Sequence, residues 1–296
     1  MLSVTYAAKE HWPQIEQVLA RVWGDDDYVA ESWLHWLEHP EEGISIVALW
    51  DGIPVGTAHV NFRRDGALWF HAMRIDPDYQ GRGISGEMNR FAISELKKLG
   101  YSTAYAAIDM ENIPSKKAAE RSGFELLYFY RALAYPRDTA ESGEEATASD
   151  AAQDCNSSTW QKAPLTEVPA YLAQITPYLQ PPREWLMIGW EICDPDEKSV
   201  AEAICWDEDC YLRKWSSPDA DAWAAIYDFD EDAIVMSPAC SDPSQWSAAL
   251  QGIKATLGEK SFFIWLTPDD PLYEASLAAG MVVKPDNGYE IWRLRF

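Results

Sequence analysis

The stretch Ile75-Asp76-Pro77-Asp78-Tyr79-Gln80-Gly81-Arg82-Gly83-Ile84-Ser85-Gly86 decides how this chain is read. It follows an apolar run, Ala67–Ile75, and leads into a run whose Ile84, Met88, Phe91, Ala92, Leu96 and Leu99 fall on one helical face. A strand ends, glycines follow closely, and a helix begins. Glycine reaches positive φ at little steric cost and lets another group approach the backbone. Successive N–H groups in such a turn converge at the helix N-terminus, where they attract phosphate. Arg82 can add a charge-assisted contact. No Lys-Ser or Lys-Thr pair follows, so this is not a Walker A loop, and the upstream frame is wrong for a dinucleotide fingerprint.

The surrounding pattern reads as alternating elements. Val4–Tyr6 is a short strand, and Trp12–Val22 carries apolar residues at helical spacing. Asp25–Asp27 can cap a second helix with Val29, Trp33, Trp36 and Leu37 on one face. Ile44–Trp50 and Val55–Phe62 are strands joined by the hairpin signal Asp51-Gly52. Arg63-Arg64-Asp65-Gly66 turns into Ala67–Ile75. The helix from Ile84 to Leu99 ends at Gly100, Tyr105–Asp109 is a strand, Pro114–Ser122 is a short helix stopping at Gly123, and Phe124–Ala134 is a final strand. The order β-α-α-β-β-β-α-β-α-β implies an α/β layer structure with a largely antiparallel first part.

Within this frame the run Met73–Ser85 resembles the signature of the GNAT (Gcn5-related N-acetyltransferase) superfamily. That pattern is an aliphatic-x-Pro followed by Arg/Gln-x-x-Gly-x-Gly/Ala, here filled by Ile75-Asp76-Pro77 and by Gln80, Gly83 and Ser85. Ser85 stands where Gly or Ala is usual. The family's Asn followed by a Gly-Phe is matched by Asn112 and Gly123-Phe124. The resemblance covers about residues 3–135. It implies a mixed, mainly antiparallel sheet flanked by helices, with acetyl-CoA as cosubstrate in a cleft where the strand ending at Ile75 and the strand Tyr105–Asp109 splay apart. Backbone groups from Met73 through Arg74 to Ile75 should pair with pantetheine as an added strand would. The amides of Gln80, Gly81, Arg82, Gly83, Ile84, Ser85 and Gly86 should hold the pyrophosphate. Asn112, with Ser115 beside it, should touch the pantetheine arm or cap its own helix. Lys116 and Lys117 either reach the 3′-phosphate or form a solvated helix face.

Acyl transfer to an amine requires deprotonating the amine and accommodating the departing thiolate. Many members of the family carry a Glu four residues before the aliphatic of the motif; here that position is His71, which can do the same task directly or through water. The family's usual acid, a Tyr four residues before the Gly of Gly-Phe, is replaced by Ala119. Tyr105, Tyr128 and Tyr130 are substitutes that spacing does not separate; Tyr128 is the candidate carried forward. The resemblance thus implies an N-acetyltransferase using direct attack in a ternary complex. Ala119 keeps a second reading open, a non-catalytic acyl-CoA-binding sensor or scaffold.

The 296-residue chain suggests two domains. Residues 1–136 form the acetyl-CoA-binding domain. The small, acidic stretch 137–163 reads as a linker that cannot bury enough apolar surface to order itself. Residues 164–296 repeat part of the pattern as a degenerate GNAT-like α/β domain: Ser261–Leu266 is a strand, and Asp269 precedes Gly280-Met281 as Asn112 precedes Gly123-Phe124. After Met236-Ser237-Pro238 comes Ala-Cys-Ser-Asp-Pro-Ser-Gln, which lacks glycine, so a second cofactor loop is not expected.

A net charge of −24 argues against nucleic acid and slightly favours a cationic small-molecule amine over a protein N-terminus or lysine. No apolar run is long enough to span a membrane and no secretory signal is visible, so a cytoplasmic monomer or homodimer is expected. The five cysteines lie in the second half and the five histidines in the first, between His11 and His71. A Cys/His metal site would need ligands from both halves, and no metal is expected.

Overall fold

The computed structural model describes residues 1–24, 27–63, 66–135, 159–181, 183–188, 191–205 and 209–296, excluding the side chains of 191, 285 and 286. Most of the expected linker, residues 137–158, lies outside the described residues, as do Asp25, Asp26, Arg64 and Asp65. The chain divides into two compact units, one formed by Met1–Leu127 with Glu290–Phe296 and the other by Tyr128–Tyr289. None of the described helices is long and apolar enough to cross a membrane.

In the first unit the elements run β1 (Leu2–Tyr6), α1 (Trp12–Trp23), α2 (Tyr28–Glu38), β2 (Gly43–Trp50), β3 (Ile53–Phe62), β4 (Leu68–Ile75), α3 (Ile84–Lys98), β5 (Thr103–Asp109), α4 (Ile113–Arg121) and the start of β6 (Glu125–Ala134). Strands β1 to β4 form an antiparallel meander, with Asp51 and Gly52 both at positive φ in the β2–β3 turn, as a type I′ hairpin requires. Strand β5 then joins parallel to β4. The next strand in order is the last one of the chain, β14 (Val282–Arg295), whose end belongs to this unit. The sequence pattern held no sign of that placement, because strand order is set by long-range packing.

Helix α3 buries Ile84, Met88, Ala92 and Leu96 on one sheet face and ends at Gly100, φ +90°. Leu99, expected on the same stripe, is instead 58% exposed, since it follows the last helical turn. That core also takes in Trp292 and Leu294. On the other face Ile15, Leu19, Val29, Trp33 and Trp36 from α1 and α2 pack against Val47 and Ala72. Helix α2 starts where Asp27 accepts from the Val29 N–H, and the Trp33 indole N–H donates to Thr57 Oγ1 at 2.9 Å.

The second unit holds the rest of β6, then β7 (Gln161–Lys162), α5 (Val168–Ile175), β8 (Leu186–Ile188), β9 (Glu191–Cys193), α6 (Glu197–Cys205), β10 (Cys210–Ser216), β11 (Asp221–Asp228), β12 (Asp232–Cys240), α7 (Trp246–Leu257), β13 (Ser261–Leu266), α8 (Pro271–Ala278) and the first part of β14. Its main strand order is β6-β13-β12-β11-β10-β7. Trp160 is buried and Gln161–Lys162 pair with β10, so the last residues of the expected linker are built into this sheet. Cys193, Cys205, Cys210 and Cys240 carry free thiols.

The two units share a local irregularity. Between the pairs Thr57↔Arg74 and His59↔His71, two β4 residues oppose one on β3, and Ala72 takes φ +57°. Between Trp223↔Ala239 and Ala225↔Met236, two β12 residues oppose one on β11, and Ser237 takes φ +45°. Both are β-bulges, each with a non-glycine residue in the left-handed region. After each bulge comes an Asx-Pro turn, with Asp76 accepting from the Asp78 N–H and Asp242 from the Ser244 N–H. The helices α4 and α8 are capped by Asn112 and Asp270, one residue beyond the Asp269 that spacing alone selects, and Gly123 and Gly280 close them at φ +89° and +90°.

Burial of Trp292 in the α3 core predicts that Trp292→Ala costs roughly 3–5 kcal/mol. Urea denaturation followed by circular dichroism should show the first unit's transition moving to lower denaturant; an unchanged midpoint would mean the closing strand is peripheral to that core.

Candidate functional site

Strands β4 and β5 are paired only at Leu68↔Ala104 and Trp69↔Tyr105. Beyond Trp69 they part. The bulge at Ala72 turns β4 at this point, because an extra residue bends the bulged strand and increases its twist. The stretch Phe70–Ile75 is therefore released from β5 immediately before the glycine-rich loop. The Ile75 carbonyl accepts from Gln80 Nε2 at 3.1 Å, and the Met73 carbonyl from the Arg74 guanidinium at 3.3 Å. Gln80 is exposed and can rotate away from an incoming backbone-like ligand, and the longer Arg74 contact can be given up while Arg74 stays bonded to Asp27.

The loop has the shape its glycines imply. Gly81 sits at φ +74° and Gly83 at φ +80°, and an added side chain at Gly81, Gly83 or Gly86 would meet nothing within 4 Å. These two glycines are thus required by backbone conformation, and the space above them is open. Gly83 is the N-cap of α3 and supplies no side-chain acceptor, which leaves the first helical amides to other partners. Arg82 is held beside Trp50 and Tyr79, 5.2 and 5.0 Å from the ring centroids, and donates to the Asp78 carbonyl. The loop is anchored from α1: Arg21 makes two 2.8 Å contacts to buried Asp76 and one to Asp78. Arg21 offsets part of the negative charge that these two acids place beside the loop. The residues present therefore fit a pyrophosphate.

Asn112 Oδ1 accepts from the Ser115 N–H at 3.1 Å, so both residues serve the helix cap. Lys116 donates to the Met110 carbonyl and pairs with Glu290 at 3.0 Å. It is neither a solvated face nor a free phosphate ligand. Glu290 also accepts from the Trp292 indole N–H. Ala119 is buried, 6% exposed, where the resemblance calls for a tyrosine. Tyr128 belongs to the second unit, with its ring edge-on to Tyr130, 5.6 Å between centroids.

His71 is surrounded by residues the sequence did not connect to it. It lies across the β3–β4 ladder from His59, with ring centroids 5.3 Å apart. Trp36 of α2 stacks on His59 at 4.3 Å and meets His71 edge-on at 5.3 Å. The hydroxyl of Tyr28, a half-exposed residue at the start of α2, lies 3.2 Å from His71 Nδ1, while His71 Nε2 is cut off from solvent. Burial, then the neighbouring His59 and Arg74, hold the His71 imidazole well below its usual pKa of 6.5, so it is neutral at pH 7. Arg74 is itself bound to Asp27 by two hydrogen bonds of 2.8 and 2.9 Å and lies beside the rings of Trp23 and Tyr28. The His59–His71 pairing had a sequence signal: each lies six residues from Asp65 in the turn between these strands. Tyr28 and Trp36 had none, because a helix's position over a sheet is a tertiary property.

In the second unit the corresponding strands pair in parallel from Asp232↔Ser261 to Val235↔Ile264. The bulge beyond them is engaged by the unit's own chain. Ser237 Oγ accepts from the Met187 N–H and donates to the Met187 carbonyl, and Tyr171 donates to the Ser237 carbonyl. Arg183 binds Asp270 at 2.8 Å and also contacts Thr267. A cavity of about 10 Å³ remains among Tyr130, Arg183, Trp185, Ser237, Trp265 and Asp270, room for one water. Loop glycines are missing here as well, and Asp242 already occupies the turn.

Burial lowers the pKa of His59 to about 4, with Asn61 opposing. Because this folded value lies below the unfolded 6.5, the contribution of His59 to stability is complete above pH 6.5 and is lost as pH falls toward 4. The loss amounts to about 3 kcal/mol. His59→Gln should flatten the pH dependence of the urea midpoint between pH 6.5 and 4; a slope equal to wild type would show that His59 is not held neutral.

Residues 7–124 match the acetyltransferase (GNAT) family. No protein of curated function matches the chain in sequence. Among solved structures, the GCN5-related N-acetyltransferase of Kribbella flavida superposes with a TM-score of 0.61 at 15% identity, covering 99% of this chain and 70% of that one. The GCN5-related N-acetyltransferase of Sphaerobacter thermophilus gives 0.59 at 14% identity, covering 99% and 95%. At such identities the likeness concerns the fold, and it extends along the whole chain.

Proposed function

We propose, on the match of residues 7–124 to the acetyltransferase (GNAT) family, that the chain transfers an acetyl group from acetyl-CoA to a primary amine by direct attack in a ternary complex. The observation carrying this reading is the parting of β4 from β5 after Trp69↔Tyr105, directly before a loop with glycines at positive φ and an uncapped helix N-terminus. Pantetheine lies along Phe70–Ile75 and displaces the Gln80 and Arg74 contacts to the strand carbonyls. The pyrophosphate takes the amides of Gly81 to Ser85, with Arg82 alongside. The acceptor is a small amine, and the acidic surface favours a cationic one by steering.

Proton removal runs through Tyr28 to His71. As the amine nitrogen attacks the thioester carbonyl, its proton passes to the Tyr28 oxygen while the Tyr28 proton moves to His71 Nδ1. A neutral imidazole is the form this step needs, and the depressed pKa keeps it so at pH 7. The departing thiolate leaves without a dedicated acid at position 119. Buried Ala119 favours a second reading, a non-catalytic acyl-CoA sensor or scaffold. Tight CoA binding without thiol release on any amine of a broad panel would select it.

The second unit is read as a degenerate GNAT-like domain without a cofactor site of its own. The shared bulge, Asx-Pro turn and glycine-closed helix support the kinship, and the Ser237–Met187 bonds support the loss of the site.

Two outcomes test this reading. Gly83→Asp forces a side chain into the left-handed region and sets a negative charge at the helix N-terminus, so CoA affinity should fall by at least ~10-fold in calorimetric titration. Undiminished affinity would remove the loop from the cofactor site. His71→Ala should lower kcat by about 10²-fold, with the greatest loss at low pH, and Tyr28→Phe should reproduce the loss with KM unchanged. A Tyr28→Phe enzyme with wild-type kcat and pH profile would take Tyr28 out of the proton path.

A further inference from the structure

Independently of acetyl transfer, the structure assigns a divalent-cation site at the end of α2, built from His35, His39, Glu41 and Glu42 and suited to Zn²⁺. The four-residue step from His35 to His39 sets two imidazoles on one helical face. Their ring centroids are 4.2 Å apart. His39 Nδ1 lies 3.1 Å from Glu41 Oε1, and His35 Nε2 lies 3.6 Å from Glu42 Oε2. Ligand atoms of His39, Glu41 and Glu42 fall within 4.8 Å of one another. A tetrahedral zinc with bonds near 2.0–2.1 Å sets its ligands roughly 3.3 Å apart. The remaining closure is small for side chains that are about half exposed at a helix end.

Backbone hydrogen bonds fix the spacing of His35, His39 and Glu42. The His39 N–H donates to the His35 carbonyl, the Glu42 N–H to the His39 carbonyl, and the Phe62 N–H to the Glu42 carbonyl. The next acid, Glu38, is engaged by Lys9 at 2.7 Å and does not compete for the ion. Two imidazoles and two carboxylates make a borderline donor set, which matches Zn²⁺ or Co²⁺ and suits Mg²⁺ and Ca²⁺ poorly, since those ions prefer oxygen alone. A bound ion would tie the end of α2 to the turn leading into β2. The same helix carries Tyr28 and Trp36, so the tie also steadies the wall beside His71.

The test is competition between the full-length protein and a chromophoric zinc chelator, paired with Co²⁺ absorption. Wild type should take up one Zn²⁺ per chain, melt at a higher temperature with zinc, and give the visible bands of tetrahedral Co²⁺. His35→Ala/His39→Ala, exposed changes that should leave the metal-free melting temperature nearly unaltered, should weaken zinc binding by about 100-fold or more. Equal zinc affinity in wild type and the double variant would overturn the assignment, as would wild type showing no uptake at tens of micromolar Zn²⁺. Mg²⁺ competing as well as Zn²⁺ would overturn it too, since plain acidic surface then accounts for the binding.

Discussion

The acetyl transfer proposed for the first unit depends on one event in its sheet, the separation of β4 from β5 after two parallel pairs. A strand buried in a sheet has its N–H and C=O groups committed to neighbours. The end of the ladder just before the Ala72 bulge frees the β5-facing edge of Phe70 to Ile75, which stays paired with β3, and the chain then turns at Asp76-Pro77 into the glycine loop. A released strand edge and an uncapped helix N-terminus lie in succession along the chain. The first can pair with an extended amide-bearing arm and the second can receive phosphates. Arg21 holds Asp76 and Asp78 from α1, so the loop is anchored by charge on the face opposite the α3 core.

The second unit repeats the same backbone device and closes it. Ser237 stands where Ala72 does and has the same left-handed backbone, but its hydroxyl and carbonyl are bonded to Met187 and Tyr171. The space left over is that of a single water. A bulge in a non-glycine residue is costly to keep. Its retention in a unit that fills the resulting opening accords with descent from a domain in which the opening was used. The two units thus differ beside the shared bulge: the first has glycines at positive φ with open space above them, and the second does not.

Most of the first unit was legible in the sequence because its signals are local. Hairpin turns, helical stripes and glycine stops have fixed periods, and the strand and helix limits expected from them lie within a few residues of those observed. The positive-φ conformation of the Gly81–Gly83 loop was legible for the same reason. The placement of β14 beside β5, and with it the Lys116–Glu290 pair, was not, since strand order arises from packing between segments distant in sequence. The surroundings of His71 divide along the same line. His59 could be found by counting outward from a hairpin turn, whereas Tyr28 and Trp36 reach it only through the seating of α2. Asp27, buried and paired with Arg74, fixes that seating. Asn112 shows the converse: its spacing fits a cofactor contact and a helix cap equally well, and the observed bond to Ser115 is the cap.

The central claim, that this opened strand edge and glycine loop form the one acyl-CoA site in the chain, is tested most directly by backbone hydrogen exchange with and without CoA. The account predicts slowed exchange at Met73 to Ile75 and at Gly81 to Gly86, and no change at Ser237 to Trp246. Protection confined to the second unit, or none in the first at saturating CoA, would contradict it.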